Sequence, residues 1–348
     1  MKFIPVLGSA LLLATPAAMP AAAQTVEIAA VRETEPVASA GDSADDPAIW
    51  RDPADPAKSL IVATDKSRGL DVYDLTGKRV ASAPAGLVNN VDLRAGVLIR
   101  GRSAILVGAS DRTADPKGRI ALYALETAPA GLRHLADVVV SEGGPAKVYG
   151  FCLWRRSARE VHAFVPYNDG TIRQYRLDLT RATPTATLVR EVRLGSKTEG
   201  CVVDDRTGRL YVSEERVGVW RIDAAPGSRA APVMFAAIDG VNLKPDIEGL
   251  AIVPRGRAGG FLVASSQNDN AYSAYGLESG RLAAHFRIAG SAGIDGVTDT
   301  DGLEFAPGSF GAPFDQGLFV VQDGDNSPAN QNFKLVPGSA LLGLLGVK

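Results

Sequence analysis

The sequence predicts an all-β fold, a six-bladed β-propeller closed by an N-terminal strand. One reason is a triplet, aromatic–any–aliphatic, that recurs as Tyr73-Asp-Leu75, Tyr123-Ala-Leu125, Tyr175-Arg-Leu177, Trp220-Arg-Ile222, Tyr275-Gly-Leu277 and Phe333-Lys-Leu335, in steps of 50, 52, 45, 55 and 58 residues. A second is an acid followed by Gly or Pro and then an apolar run: Asp42-Ser-Ala-Asp-Asp-Pro-Ala-Ile-Trp50, Thr198-Glu-Gly-Cys-Val-Val203, Asp246-Ile-Glu-Gly-Leu-Ala-Ile252 and Asp299-Thr-Asp-Gly-Leu-Glu-Phe305. Tyr149-Gly-Phe-Cys-Leu-Trp154 repeats the form with a phenol, and Asn89-Asn-Val-Asp-Leu93 is a degenerate copy. A period near 50 with several short strands per unit is that of a propeller blade. The 37 glycines, 21 prolines and absence of a long 3.6-residue periodicity agree. The competing architecture is a pair of β-sandwiches.

In chain order, Met1-Lys2 and an Ala/Leu-rich stretch ending Ala21-Ala22-Ala23 have the parts of a secretory signal peptide. Pro16 and Pro20 interrupt it, against the alternative of a membrane anchor. Residues 1–23 are therefore expected to be removed and 24–348 to form one exported, soluble, monomeric propeller domain, periplasmic or secreted. Residues 25–40 are strand-like and are expected to add a strand to the last blade, removing an exposed edge. Each unit then reads as an apolar strand, a polar turn and a strand running into the aromatic, most clearly in Leu60–Tyr73 and Leu210–Trp220.

Lys and Arg number 37 against 39 Asp and Glu, a net charge of −2, so bulk charge points to neither nucleic acid nor an anionic membrane. The two cysteines, Cys152 and Cys201, stand at +2 and +1 from the Gly of their repeats. Those positions point to opposite faces of a strand, and free thiols are expected.

The innermost strand of each blade runs along the central channel, so equivalent positions meet at one mouth. Asp45, Asp46, Glu199, Asp246, Glu248, Asp299 and Asp301 should converge there, joined by Glu214 and Glu215 from the next strand. So many carboxylates repel one another unless cations bind. None of the three histidines lies in these motifs, and oxygen-only ligands favour a hard cation, Ca²⁺ before Mg²⁺. The alternative is acids that merely cap strand ends. Gln322-Asp-Gly-Asp-Asn-Ser327 reads either as part of a calcium loop or as a turn.

Lys66, Arg68, Arg112 and Lys244 stand in or beside the same turns. Divalent cations with Lys and Arg over a ring of acids suit a multiply charged phosphate. Surface Lys and Arg are usually just solvated, and shared blade positions are what give these weight. Cys152 lacks the arginine spacing of a cysteine phosphatase and no Arg-His-Gly occurs, which leaves attack by metal-activated water.

With Val148-Tyr-Gly-Phe151, Ala264-Ser-Ser-Gln267 and Ala329-Asn-Gln-Asn-Phe-Lys334 added, these motifs resemble the β-propeller phytases from about residue 40 to 337. The resemblance implies a six-bladed propeller that hydrolyses phytate with several calcium ions. It implies metal binding by Asp46, Glu199, Glu215, Asp246, Glu248 and Asp301, with Asp45 beside them, and contact with the scissile phosphate by Lys66, Arg112 and Tyr149. Turnover should depend on Glu215 and Tyr149. Asp295, Asp325 and Asn326 match a structural calcium loop. Where the family carries a second lysine this chain has Ser67, with Arg68 as substitute, and a third-blade lysine aligns with Asn168. Both departures lie toward a second, non-cleaving phosphate pocket. Other functional readings are a divalent-metal propeller lactonase or sugar-acid hydrolase, and a non-catalytic binding propeller.

Overall fold

Second strands such as Leu60–Asp65 and Leu318–Asp323 are buried along their whole length, which is why they read as unbroken apolar runs rather than alternating ones. Fourth strands such as Arg79–Pro84 and Thr185–Arg193 are half exposed and carry polar residues. The computed structural model describes residues 23–114, 117–140 and 146–347. The stretch read as an export signal lies, up to residue 22, outside them. Among the described residues the strands form six sheets, each one blade, five of four strands and one of five.

The inner strands are Ala44–Trp50, Val88–Ile99, Cys152–Ser157, Thr198–Asp204, Leu250–Arg255 and Leu303–Ala306. Each packs on the next, and the sixth on the first, so the ring is closed. Apolar side chains between successive blades make the core. One such cluster joins Val62, Val72, Val91, Val107 and Tyr123, from the first and second blades.

The aromatic of each triplet lies on the third strand rather than at the end of its blade, for example Tyr73 on Gly69–Asp74 and Phe333 on Asn332–Pro337. A fourth strand follows. The N-terminal segment splits its work: Thr25–Ala29 adds a parallel fifth strand to the fifth blade beside Leu282–Ala289. Arg32–Glu33 then pairs antiparallel with Asn332–Pro337 and supplies the outer strand of the last blade. A short C-terminal helix, Gly338–Leu344, places Leu341 in the same apolar cluster as Ile28 and Val336. Among the described residues no helix is long and apolar enough to cross a membrane.

Cys152 and Cys201, expected as free thiols, form a disulfide with a Cα–Cα distance of 5.8 Å. The expectation treated the two as if they shared one sheet. They sit on the inner strands of adjacent blades, which stack face to face, so side chains on opposite faces of their own sheets point at each other.

Candidate active site

Three of the inner strands begin with a bulge. Regular pairing breaks between Ala44 and Pro47, Val88 and Val91, and Thr198 and Cys201. A bulge turns one side chain out of the ladder and frees a backbone N–H. The second strand supplies the missing partner: Thr64 Oγ1 accepts from Asp46 N at 2.9 Å and Ser110 Oγ from Asn90 N at 3.2 Å. At the unbulged starts Ser265 Oγ accepts from Glu248 N at 2.9 Å and Gln322 Oε1 from Asp301 N at 2.7 Å.

Around this ring a second one repeats. In all six blades an N–H of the first residue after the second strand, or in the third blade the second, donates to a carbonyl one to five residues before the inner strand. The bonds are Lys66 N to Ser43 O (2.7 Å), Arg112 N to Leu87 O (3.0 Å), Asn168 N to Lys147 O (3.2 Å), Glu215 N to Lys197 O (3.1 Å), Gln267 N to Asp246 O (3.1 Å) and Gly324 N to Thr298 O (2.8 Å). Lys66, Arg112, Asn168, Glu215 and Gln267 are thus equivalent positions on one rim.

The glycine after each acid lets neighbouring blades touch. A Cβ on Gly150 would overlap the Glu199 carbonyl oxygen, and one on Gly200 that of Glu248. One on Gly249 would lie 2.5 Å from the Asp301 oxygen, and one on Gly302 2.6 Å from that of Asp45. Chain segments bearing the acids are therefore pressed together around the mouth.

A cavity there is lined by Asp42, Lys66, Tyr149, Lys197, Glu248 and Asp301 among others. Glu199, Glu215 and Glu248 each offer a carboxylate oxygen within 4.8 Å of the other two. Lys66 Nζ stands 2.7 Å from Asp42 Oδ1 and 3.2 Å from both Asp45 Oδ2 and Asp301 Oδ2. Gln267 Nε2 donates to Asp301 Oδ1 at 2.6 Å, and Asn89 Nδ2 to Glu199 Oε1. Arg112 and Lys197 flank the Tyr149 ring, the guanidinium carbon 5.3 Å and the ammonium 4.3 Å from its centroid. Lys197 Nζ is also 2.7 Å from Glu215 Oε1 and 3.6 Å from Glu199 Oε2.

Two lysines do not balance this many carboxylates. Burial, then the Glu248 carboxylate, pushes Glu199 well above the usual range, and burial with Asp45 does the same to Asp301. Glu248 is pushed up to about 7, chiefly by burial, with Glu215 and Asp301 adding to it against its hydrogen bond with Glu199. Asp45, Asp46 and Glu215 are raised too, first by burial. Burial works against the charge of Lys66, but Asp45, Asp301 and Asp42 outweigh it and hold the ammonium. An all-oxygen donor set short of positive charge fits a hard divalent cation.

The remaining sequence-predicted residues are dispersed. Asp246 lies beside Glu215, its Oδ1 3.1 Å from Arg216 Nε. Asp46 accepts from Val91 N at 3.1 Å and lines the deeper channel with Asp92, Arg94 and Glu304. Asn168 is on the rim but carries no charge, and its Oδ1 accepts from Lys147 N at 2.9 Å. Arg68 is exposed and borders a separate groove with Asp71 and Arg79. Lys244 turns away to Asp269, 3.3 Å between Nζ and Oδ2. Glu214 binds Trp220 Nε1 at 2.8 Å instead of joining the acids. Asp295 and Asn326 gather with Glu33 and Asp323 around the buried ammonium of Lys334. Asp325 caps the turn at Ser327, with 3.1 Å between its Oδ1 and Ser327 N.

Sequence reasoning missed Lys197, Gln267, Asn89 and Asp42 as site residues. A signal existed: a hydroxyl or amide stands two residues before the rim position in Thr64-Asp-Lys66, Ser110-Asp-Arg112, Ser213-Glu-Glu215, Ser265-Ser-Gln267 and Gln322-Asp-Gly324. Lys197 stands two residues before Glu199, as Asp246 does before Glu248.

A family model described as Phytase matches residues 4–346. The 3-phytase of Bacillus subtilis (strain 168) is 37% identical over 333 residues, covering 92% of this chain and 86% of that protein. The chain belongs to the phytase family. Within the phytases it is of the β-propeller type, as its six blades show. A chain in the crystal structure of a mitotic checkpoint complex aligns over 97% of this chain and 87% of its own, at 13% identity and a TM-score of 0.49, too distant to carry an argument.

Proposed function

We propose that this phytase-family hydrolase releases phosphate from phytate (inositol hexakisphosphate) in a calcium-dependent reaction at the channel mouth. The observation that carries the reading is the approach of Glu199, Glu215 and Glu248 within 4.8 Å, beside Lys66, Arg112 and Tyr149. Glu199, Glu215, Glu248 and Asp301, with Asp246 at the edge, would hold the ions. Calcium bound there supplies positive charge toward the substrate phosphates and acidifies the attacking water.

The chain's own groups do the rest. Lys66 and Arg112 bind the oxygens of the phosphate to be cleaved, as fixed cations suited to phosphate. Burial and the Glu199 carboxylate keep the Tyr149 phenol protonated, so it donates a hydrogen bond to that phosphate. Glu215, whose carboxyl burial raises, accepts the proton of the incoming water.

Phosphate release from phytate by the purified protein tests this, with a lactone substrate as control. Release that stops in EGTA and returns with added Ca²⁺ is expected; full activity in chelator, or lactone opening in its place, would overturn the reading. We also read the protein as exported, since a disulfide suits an oxidising compartment, and separately as monomeric. N-terminal sequencing of mature protein should start near Gln24, and its size in solution should be that of one chain.

A further inference from the structure

We propose that Lys197 is a displaceable counter-ion, paired with Glu199 and Glu215 while the mouth is metal-free and released onto a substrate phosphate when a divalent cation takes those carboxylates. The inference rests on the proposed function and concerns a residue that neither the family motifs nor the acid repeat singled out.

Three observations carry it. Lys197 Nζ lies 2.7 Å from Glu215 Oε1 and 3.6 Å from Glu199 Oε2, two of the three carboxylates able to share a metal. An ammonium and a divalent cation compete for the same oxygens, because each is stabilised by the same negative charge. Second, the two lysines of the mouth differ in freedom. Lys66 is held by Asp42, Asp45 and Asp301 with its side chain 15% exposed, whereas that of Lys197 is 38% exposed and borders the open cavity. Third, the neighbouring rim position lacks a cation. Asn168 is uncharged and its oxygen is taken by Lys147 N. Lys197 borders the same cavity as Tyr149, its ammonium 4.3 Å from the centre of that ring, and the guanidinium carbon of Arg112 stands 5.3 Å from it. Released from Glu215, Lys197 remains over the phenol and gives a phosphate there the positive charge the third-blade turn does not.

The exchange makes opposite predictions for its two halves, which a plain structural role does not. Calorimetry of Lys197→Gln should show Ca²⁺ bound more tightly than by the parent, on the order of tenfold, because a competing charge is gone. With Ca²⁺ saturating, the same variant should bind myo-inositol hexasulfate, an unreactive polyanion, roughly tenfold more weakly. Lys197→Arg should return both toward the parent values. Calcium affinity that is unchanged or lower in Lys197→Gln, or hexasulfate affinity that is unchanged, would overturn the proposal. Neither arm depends on turnover, so a failure of phytate hydrolysis in the parent would count against the proposed function and not against this exchange.

Discussion

Gly200 lies against the backbone carbonyl of Glu248 so closely that no Cβ fits between them. The two residues belong to adjacent blades, and the same contact recurs between Gly150 and Glu199 and between Gly249 and Asp301. The glycine after the acid is thus what lets one blade bring its carboxylate beside the next. Gly200→Ala should cost about 1–3 kcal/mol of stability through overpacking. It should also weaken calcium binding by separating Glu199 from Glu248. Thermal melts and calcium titration check both; a variant of parental stability and affinity would mean that the blades are not pressed together here.

Cys152 and Cys201 tie the same pair of blades that carry Tyr149 and Glu199. Closing a span of 49 residues, the disulfide should contribute about 2–4 kcal/mol. The Cys152→Ala/Cys201→Ala double variant should unfold at a lower denaturant concentration. An unchanged midpoint would refute the contribution.

Tyr149 and Glu215 are argued to act on the phosphate and the water, not to hold the fold. Tyr149→Phe and Glu215→Gln should each lower kcat roughly 10²-fold. Circular dichroism of both should match the parent, and turnover close to the parent's in either would remove that residue from the mechanism.

The acids of the channel set a pH dependence. Asp45, Asp46, Glu199 and Asp301 are raised above their ordinary values, Glu248 to about 7 and Glu304 to about 8, in each case chiefly by burial. A raised carboxyl binds its proton more tightly folded than unfolded. Its contribution is therefore full below about 4, the unfolded value, and is lost as pH rises through the folded one. In EGTA the melting temperature should fall from pH 5 to pH 8. Added Ca²⁺, if it binds the ionised acids as proposed, should remove or reverse that fall. A chelated protein that grows more stable across the window would contradict the charge crowding described here.

Much of this molecule was readable in its residues, for identifiable reasons. Inner strands announced themselves because the acid, the glycine and the apolar run each serve the same contact in several blades. The aromatics marked third strands because five of the six are buried, Tyr73 and Phe333 completely, and Trp220 is half-buried. Fourth strands such as Arg79–Pro84 gave no such sign, since half-exposed polar segments keep no strict pattern. The disulfide was misjudged because alternation along one strand says nothing about how two blades stack. Lys197 was overlooked because Ser196-Lys-Thr198 reads as an ordinary polar turn, and its match to Asp246 gains weight once the rim hydrogen bond from Glu215 N to its carbonyl is seen. Lys244 and Arg68 failed the other way: near the mouth in sequence, they face Asp269 and an outer groove.

Whether blade repetition gathers distant carboxylates to hold calcium for a phosphate, as proposed, can be seen in crystals grown with Ca²⁺ and measured for its anomalous scattering. Cation density bounded by Glu199, Glu215 and Glu248 is expected. Density at other sites, with none among those three carboxylates, would contradict it.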